Sequence, residues 1–318
     1  MSESAIKHHQ PLEFDSKLEQ CGLNCKNSEL NSRKMVEVQE YYDFILPLVL
    51  EAGKVMAEVE EVEVEFKQDI VWDLVTIYDR KIEEVLINKI KEKYPQHKYI
   101  GEEETAKSGH TAKLTDSPTW IIDPIDGTAN FVRRMPLTAI SVGLTINQVQ
   151  VLGIIYDPYK KELFTAIKGK GAYLNGKRIS TSGCKVIEKS VMSYEISIAR
   201  RNDYYYNLYM FRMKHLIRRI QGFRSLGTAV LGLCYVACGR LDAYQCDGLY
   251  PWDAAAGTLI VIEAGGHVVD SAGKEFDLMD PNFLASASKP LSDEYMELER
   301  RADEEQLKFA REKIGFSP

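Results

Sequence analysis

The spacing of apolar residues predicts helices in the first third of the chain. Apolar positions recur at helical intervals from Val36 to Val59 and from Asp79 to Tyr94, and charged residues occupy the opposite side of each segment. The first segment also carries Glu51, Lys54 and Glu58, so it is too charged to span a bilayer. Both segments are therefore predicted to be amphipathic helices that pack on a sheet.

The pattern changes in the middle of the chain. From Thr138 to Ile167, short β-branched runs separated by turn residues predict a meander of antiparallel strands, and Lys168 to Gly176 is rich in turn residues. Strands and helices alternate after Ser190, which predicts an α/β (α+β) fold of packed layers around a cleft. The predicted strands are Val191–Ile196, a segment near Phe223, Asp242–Gln245, His267–Asp270 and Phe283–Ala287. The predicted helices are one capped by Asp203, Gly227–Cys238, one opened by Asp253, and a charged closing helix.

Composition narrows the class of protein. A chain of 318 residues with 45% hydrophobic residues can bury a large core. The formal net charge of -7 disfavours nucleic acid as a partner, and no stretch approaches the roughly 20 apolar residues of a membrane span. Residues 1–35 are polar and of mixed charge, and they lack the apolar centre of a signal peptide. We expect a disordered extension over 1–35 and a folded domain over 36–318.

The cysteines indicate a reducing compartment. None of the six forms a CxxC pair, and no histidine lies near them at the spacing of metal ligands. Together with the absence of a signal peptide pattern, this predicts a cytoplasmic protein with free thiols.

Three separate segments place carboxylates at predicted element boundaries: Gly101–Glu104 (GEEE), Asp123–Asp126 (DPID) and Pro251–Gly257 (PWDAAAG). Taken singly, each has an ordinary interpretation, as a solvated loop, a turn and a helix N-cap. Carboxylates gathered without balancing arginines repel one another, and protonation or a divalent cation relieves that repulsion. Oxygen ligands favour hard ions, and magnesium commonly combines a few carboxylates with water and a phosphate.

The segment DPIDGT combines metal ligands with a site for an anion. Its proline restricts the backbone, so Asp123 and Asp126 can lie on one side of a tight turn while the carbonyl of Ile125 stays free as a ligand. Gly127 permits close approach of the backbone, and Thr128 supplies a hydroxyl. A helix that begins there would direct unpaired N–H groups at a phosphate.

These segments carry a resemblance to a known family. TWIIDPIDGTANFVRRMP resembles the first signature of the inositol monophosphatase family, and LYPWDAAAGTLIVIEAGG resembles its second. Further segments resemble the family in the same order, so that the resemblance covers Val36 to Ala287. They are DLVTIYDRKIE, IKEKYPQHKYIGEE, KGKGAYLNG and FRSLGTAVLGLC.

The resemblance implies a magnesium-dependent, lithium-sensitive phosphatase of inositol metabolism and phosphatidylinositol signalling. It also implies a layered α-β-α-β-α sandwich of the inositol monophosphatase and sugar phosphatase type, usually a homodimer. The implied metal ligands are Glu102, Asp123, the carbonyl of Ile125, Asp126 and Asp253. The implied catalytic residues are Glu102 and Thr128, which orient the attacking water, and Asp79, which partners Thr128. The implied substrate-binding residues are Asp126, Gly127, Thr128, Ala229, Val230, Cys246 and Asp253.

The side of the site that would bind the alcohol departs from the family pattern. Seven residues before Asp253 the family carries a glutamate that binds ring hydroxyls, and this chain has Cys246, followed by Asp247. The polar residue expected near Ala199 is missing, and Lys67 resembles a family lysine near the metals. Inositol 1-phosphate is the favoured substrate, because the segment DPIDGTANF matches the family form. Another small phosphate ester (a sugar phosphate, a nucleotide-derived phosphate or histidinol phosphate) and a catalytically silent scaffold remain open.

Overall fold

The computed structural model describes residues 16–59, 64–66 and 74–314. The chain divides into two units, one ending at Asp43 and the other beginning at Phe44, and the features discussed below lie in the second. The first helix begins at Ser16, so its backbone includes part of the segment expected to be disordered. Residues 1–15 and Lys67 lie outside the described residues, and the domain boundary after residue 35 stays a prediction.

Helices and strands alternate after Ser190, as the sequence predicts, and a run of strands precedes that part of the chain. The described helices are α1 (Ser16–Ala57), α2 (Ile77–Lys93), α3 (Glu102–Ser108), α4 (Thr128–Val132), α5 (Asp203–Leu216), α6 (Ala229–Ala237), α7 (Pro251–Glu263) and α8 (Lys289–Ile314). The described strands are β1 (Val64–Phe66), β2 (Leu74–Thr76), β3 (Lys98–Gly101), β4 (Thr119–Asp126), β5 (Ala139–Ile146), β6 (Val149–Asp157), β7 (Glu162–Ile167), β8 (Gly171–Leu174), β9 (Lys177–Ile179), β10 (Val191–Tyr194), β11 (Gly222–Arg224), β12 (Ala243–Cys246), β13 (His267–Asp270) and β14 (Phe283–Ser286).

Two sheets of the second unit form separate layers. The larger has the order β3-β4-β5-β6-β7-β8-β9, and all its pairs are antiparallel except β3 with β4. The smaller has the order β11-β10-β12-β14-β13 and contains parallel and antiparallel pairs. The predicted antiparallel meander is confirmed by β5, β6 and β7.

Helices occupy the spaces around these sheets. Apolar side chains of α6 and α7 form one core cluster with residues of both sheets, such as Ile121 of β4 and Tyr244 of β12. On the other face of the smaller sheet, α5 and α8 pack in a second cluster. On the outer face of the larger sheet lie α2 and the part of α1 near Gly53, which contacts Tyr156. The predicted α-β-α-β-α layering is confirmed.

Two strand glycines bring α7 unusually close to the larger sheet. A Cβ atom at Gly143 of β5 would lie 2.7 Å from the Cβ of Ala255, and one at Gly153 of β6 would lie 2.6 Å from the carbonyl oxygen of Ala256. Only glycine fits these strand positions at this separation. The close packing fixes the first turn of α7, which contains Asp253, near the end of β4.

Two local predictions need correction. Asn202, not Asp203, caps α5, because the Asn202 side chain accepts a hydrogen bond from the N–H of Tyr205 at 3.0 Å. Helix α7 begins at Pro251, ahead of Asp253. The turn-rich segment Lys168–Gly176 does form turns, and they flank strand β8, which pairs with β7 and β9. Among the described residues, no helix is both long and apolar enough to cross a membrane.

Candidate metal centre

An irregularity in β4 brings its two aspartates to one side. Asp123 lies opposite Ser141 and Asp126 lies opposite Ala139, so three steps along β4 match two along β5. In a regular strand, residues three apart point to opposite faces, and the extra residue of a β-bulge removes that difference. The bulge contains Pro124. A bulge is a suitable position for proline, because proline has no N–H to donate to the hydrogen bonds between strands.

Asp253 joins the two β4 aspartates from α7. Each of the three residues offers a carboxylate oxygen, and these oxygens all lie within 4.8 Å of one another. Asp253 also accepts a hydrogen bond from the N–H of Tyr250 at 2.8 Å, so the ordinary role of stabilising the helix start is real as well. Asp123 and Asp126 are buried, and no lysine or arginine of the described residues forms an ion pair with any of the three.

Burial and mutual repulsion make these carboxylates reluctant to ionise. Burial raises the pKa of Asp123 well above its ordinary value, and the charges of Glu102, Asp126 and Asp253 raise it further. Burial raises the pKa of Asp126 to about 7, although hydrogen bonds from Thr228 and two backbone amides act in the opposite direction. The pKa of Asp253 is raised well above its ordinary value, first by burial and then by Asp126. A bound cation would stabilise the charged forms of these carboxylates, which burial and mutual repulsion disfavour.

Asp126 also holds the start of α6. Its carboxylate accepts hydrogen bonds from the N–H groups of Ala229 at 3.0 Å and Val230 at 3.3 Å, and from the hydroxyl of Thr228. Ala229 and Val230 therefore direct their amides at Asp126, and Val230 is fully buried. Their contact with a substrate stays a prediction. Thr228 was not identified from the sequence as part of the site.

The hydroxyl of Thr128 is positioned by two acceptors. It lies 3.3 Å from Oδ1 of Asp79 and 3.1 Å from the carbonyl oxygen of Ile125. Asp79 is itself held by the N–H of Thr76 at 2.8 Å and by the Thr76 hydroxyl, and burial raises its pKa to about 7. The residue before Thr128, Gly127, has φ of 83°, a left-handed conformation that glycine adopts without strain.

Glu102 begins α3, and its position depends on a residue that the sequence analysis missed. The residue before it, Gly101, has no side chain to cap the helix. Glu83 of α2 supplies the cap instead: its carboxylate accepts the N–H of Glu103 at 2.9 Å and that of Glu104 at 2.8 Å. A Cβ atom at Gly101 would lie only 2.5 Å from the Glu83 carboxyl carbon. The signal in the sequence is spacing, because Glu83 lies four residues after Asp79 on the same face of α2.

We expect Glu83→Ala to lower the free energy of unfolding by about 1–2 kcal/mol, because it leaves two helix-start N–H groups without an acceptor. Glu83→Gln keeps one acceptor oxygen and should recover part of the loss. Glu84→Ala is the matched control, since Glu84 is the exposed neighbour on α2. Urea unfolding of the three variants measures the difference. Equal losses for Glu83→Ala and Glu84→Ala would show that the cap contributes nothing.

The thiol of Cys246 is enclosed by the protein. Cys246 is fully buried, and its Sγ lies 3.6 Å from the hydroxyl oxygen of Tyr209. Its neighbour Asp247 points the other way, to Arg212 at 3.2 Å and to the hydroxyl of Ser271. These contacts hold the Asp247 carboxylate away from the Cys246 thiol, so Asp247 does not take the place of the missing glutamate. Substrate contact by Cys246 stays a prediction.

Comparisons with known proteins identify similar sequences and a similar fold. A sequence profile described as "Inositol monophosphatase family" matches residues 37–304. Inositol monophosphatase 1 from Homo sapiens is 41% identical over 257 residues, which cover 80% of this chain and 92% of that protein. Inositol monophosphatase 2 from Solanum lycopersicum is 42% identical over 242 residues, which cover 76% of this chain and 91% of that protein. The solved structure of a Thermotoga maritima IMPase has a TM-score of 0.72 and 31% identity, and the match covers 84% of this chain and 99% of that one.

Proposed function

The chain belongs to the inositol monophosphatase family, and from this premise we propose that it hydrolyses inositol monophosphate to myo-inositol and phosphate with magnesium as cofactor. The family consists of metal-dependent phosphatases that act on small phosphate esters. The observation that carries the proposal is the group of carboxylate oxygens of Asp123, Asp126 and Asp253, all within 4.8 Å of one another.

The residues present fit a magnesium ion. All the ligands are hard oxygens, Asp123 and Asp126 are buried and Asp253 is partly buried, none of the three forms an ion pair with a lysine or arginine of the described residues, and burial raises their pKa values. We propose that Glu102, Asp123 and the carbonyl of Ile125 hold one ion. Asp123, Asp126 and Asp253 would hold a second. Glu102 is not part of the group of three, but its charge acts on both Asp123 and Asp126.

Magnesium bound here would supply Lewis-acid chemistry, which lowers the pKa of water and stabilises charge that develops on the phosphate and the leaving oxygen. The residues of the chain do the positioning. The Thr128 hydroxyl has one hydrogen, which Asp79 or the carbonyl oxygen of Ile125 accepts, so the hydroxyl oxygen keeps lone pairs to accept a hydrogen bond from the attacking water. The amides of Gly127 and Thr128 would hold the phosphate for in-line displacement. No covalent enzyme intermediate is needed.

A panel of substrates tests the proposal. With magnesium present, we expect the protein to release phosphate from inositol 1-phosphate, because the metal side of the site matches the family in every ligand. Sugar phosphates, nucleotides and histidinol phosphate belong in the same panel, since Cys246 replaces a polar group on the alcohol side. Lithium should inhibit. Release of phosphate from none of these esters would favour the silent scaffold instead.

We further propose that residues 36–318 form the catalytic domain, with 1–35 outside it, and that the enzyme acts as a cytoplasmic homodimer. The match over residues 37–304 supports the boundary. The free thiols of the described cysteines (Cys184, Cys234, Cys238 and Cys246) support a reducing compartment. The homodimer rests on the family resemblance, and light scattering of the full chain in solution tests it.

A further inference from the structure

An arginine lies beside the loop that leads into the metal centre. Arg201 ends a short 3-10 helix over Ile196–Arg201, and its side chain is exposed. Its Nη1 donates a hydrogen bond to the carbonyl oxygen of Gly248. Gly248 belongs to the loop between Cys246 and Asp253, so Arg201 is anchored on the side of the site where the family glutamate would recognise the alcohol.

Aromatic rings hold the guanidinium of Arg201 in place. Its Cζ lies 6.0 Å from the ring centroid of Tyr205 and 6.0 Å from that of Tyr250. Tyr250 in turn stacks on Trp252, with centroids 4.8 Å apart and an angle of 12° between the rings. The hydroxyl of Tyr205 lies on the same side of Gly248 as Arg201: a Cβ atom at Gly248 would lie 2.6 Å from the Tyr205 hydroxyl oxygen and 2.9 Å from Nη1 of Arg201. An exposed arginine fixed in this way loses less conformational freedom when it binds a ligand.

The charge of Arg201 is not neutralised within the described part of the chain. None of the ion pairs among the described residues includes Arg201, whereas Arg212 pairs with Asp247 and Asp303, and Arg219 pairs with Glu188. Among the carboxylates of the metal centre, Asp253 is close enough to Arg201 for the arginine charge to oppose the rise in its pKa, and Asp247 and Asp280 act on the neighbouring Tyr205. Once those carboxylates bind metal, the guanidinium still has hydrogen-bond donors to offer an anion.

Cys246, at the position where the family recognises the alcohol, is not accessible from the surface. Cys246 is fully buried, so a bound alcohol cannot reach its thiol without a rearrangement of the protein. The groups exposed beside the same loop are Arg201 and Tyr250. Beside this loop the chain therefore presents a cationic donor, which suits an anionic group on the alcohol.

We propose that Arg201, held by Gly248, Tyr205 and Tyr250, forms an anion subsite that favours phosphate esters whose alcohol part carries a second anionic group. The inference rests on the proposed phosphatase function and extends its substrates from neutral polyol phosphates to esters with an anionic alcohol part. A carboxylate or a second phosphate on the alcohol would meet the planar donors of the guanidinium, whereas a neutral polyol would gain only weaker hydrogen bonds. Without Arg201, the acidic centre would repel such a substrate.

Two esters of nearly the same shape test the subsite: 2-phosphoglycerate and glycerol 2-phosphate differ only in a carboxylate against a hydroxymethyl group. With magnesium present, we expect the full-length protein to show a higher kcat/KM for 2-phosphoglycerate. Arg201→Ala should reduce the ratio of the two kcat/KM values by about ten- to a hundredfold, the effect of losing one charge-assisted hydrogen bond. Arg201→Lys keeps the charge but not the planar guanidinium, so it should reduce the ratio of the two kcat/KM values less than Arg201→Ala does.

Arg219→Ala is the control for net charge, because Arg219 is exposed and pairs with Glu188 away from the metal centre. It should leave the ratio and the basal activity unchanged. The subsite is overturned if the ratio of the two kcat/KM values is the same in wild type and Arg201→Ala, or if the wild type shows no preference. Hydrolysis of both esters would still support the phosphatase function. If neither ester is hydrolysed, the phosphatase function is decided by inositol 1-phosphate and the rest of the substrate panel, and calorimetric binding of both esters with calcium decides the subsite. Arg201→Ala must then weaken the binding of 2-phosphoglycerate selectively, and an equal effect on both esters overturns the proposal.

Discussion

Asp123→Asn is expected to lower kcat by at least about a thousandfold, the scale found when a group that stabilises the transition state electrostatically is removed. Asp123 is the best position for this test because its only hydrogen bond among the described residues is accepted from the N–H of Ile125, at 3.0 Å. The asparagine carbonyl oxygen can accept the same bond. The substitution therefore removes a charge that both proposed magnesium ions share and leaves the local backbone supported.

The controls separate loss of chemistry from loss of fold. Asp157 is also a buried aspartate, but it holds the N–H groups of Tyr159 and Lys160 away from the metal centre, so Asp157→Asn should lose stability and keep turnover. Asp126→Asn should lose both, because the Asp126 carboxylate also binds Thr228 and the first amides of α6. Steady-state phosphate release and urea unfolding, measured on all three variants, distinguish these cases. Normal turnover in folded Asp123→Asn would rule out the metal centre proposed here.

The sequence predicts the ligands of this site better than the residues that hold them. The functional residues of the segment IIDPIDGTANF are close together in the sequence, so Asp123, Asp126 and Thr128 could be identified from one short stretch. The bulge that turns both aspartates to one side depends on pairing with β5, a partner that lies beyond the segment. Long-range pairing of this kind leaves no local pattern, which is why the turn was expected but its register was not.

Supporting contacts from distant segments were missed for the same reason. Glu83 caps α3 from twenty residues upstream, and Thr228 binds Asp126 from another layer of the sandwich. Each has an unremarkable local sequence: a glutamate on a charged helix and a threonine before an apolar one. From the sequence alone, Arg201 is an ordinary surface charge, and its contacts with Gly248 and Tyr250 exist only in the folded protein. Local propensity cannot reveal a role that exists only through tertiary contact.

A local sequence pattern can also be compatible with more than one structure. Lys168–Gly176 is rich in glycine and asparagine, and its turns do form, but they flank strand β8 on a sheet that already extends from β7. Pairing with an existing edge stabilises a short strand whose own propensity is weak. Asp203 and Asn202 are both good N-caps, and the extended backbone of Asn202 decides between them.

Removal of divalent metal is expected to reduce turnover to background, and magnesium should restore it. It should also make the stability of the protein depend on pH in a defined direction. Burial raises the pKa of Asp79 and Asp126 to about 7 in the folded protein, whereas in the unfolded chain these groups return to ordinary values near 4. The folded metal-free state thus holds protons that the unfolded state releases, so the stability contributed by these groups is fully present below about pH 4 and is lost as the pH rises towards 7.

Magnesium should reverse that loss, because it replaces the protons as the partner of the same carboxylates. We therefore expect magnesium to raise the free energy of unfolding more at about pH 7.5 than at about pH 5.5, where protons compete with the metal. At about pH 7.5, a magnesium concentration a hundred times the dissociation constant at that pH should raise the free energy of unfolding by about 2.7 kcal/mol. Urea unfolding at both pH values, with magnesium or with excess chelator, measures it, and potassium chloride at matched ionic strength controls for screening. A magnesium effect that is equal at the two pH values, or full turnover in chelator, would mean that Asp123, Asp126 and Asp253 do not bind the metal.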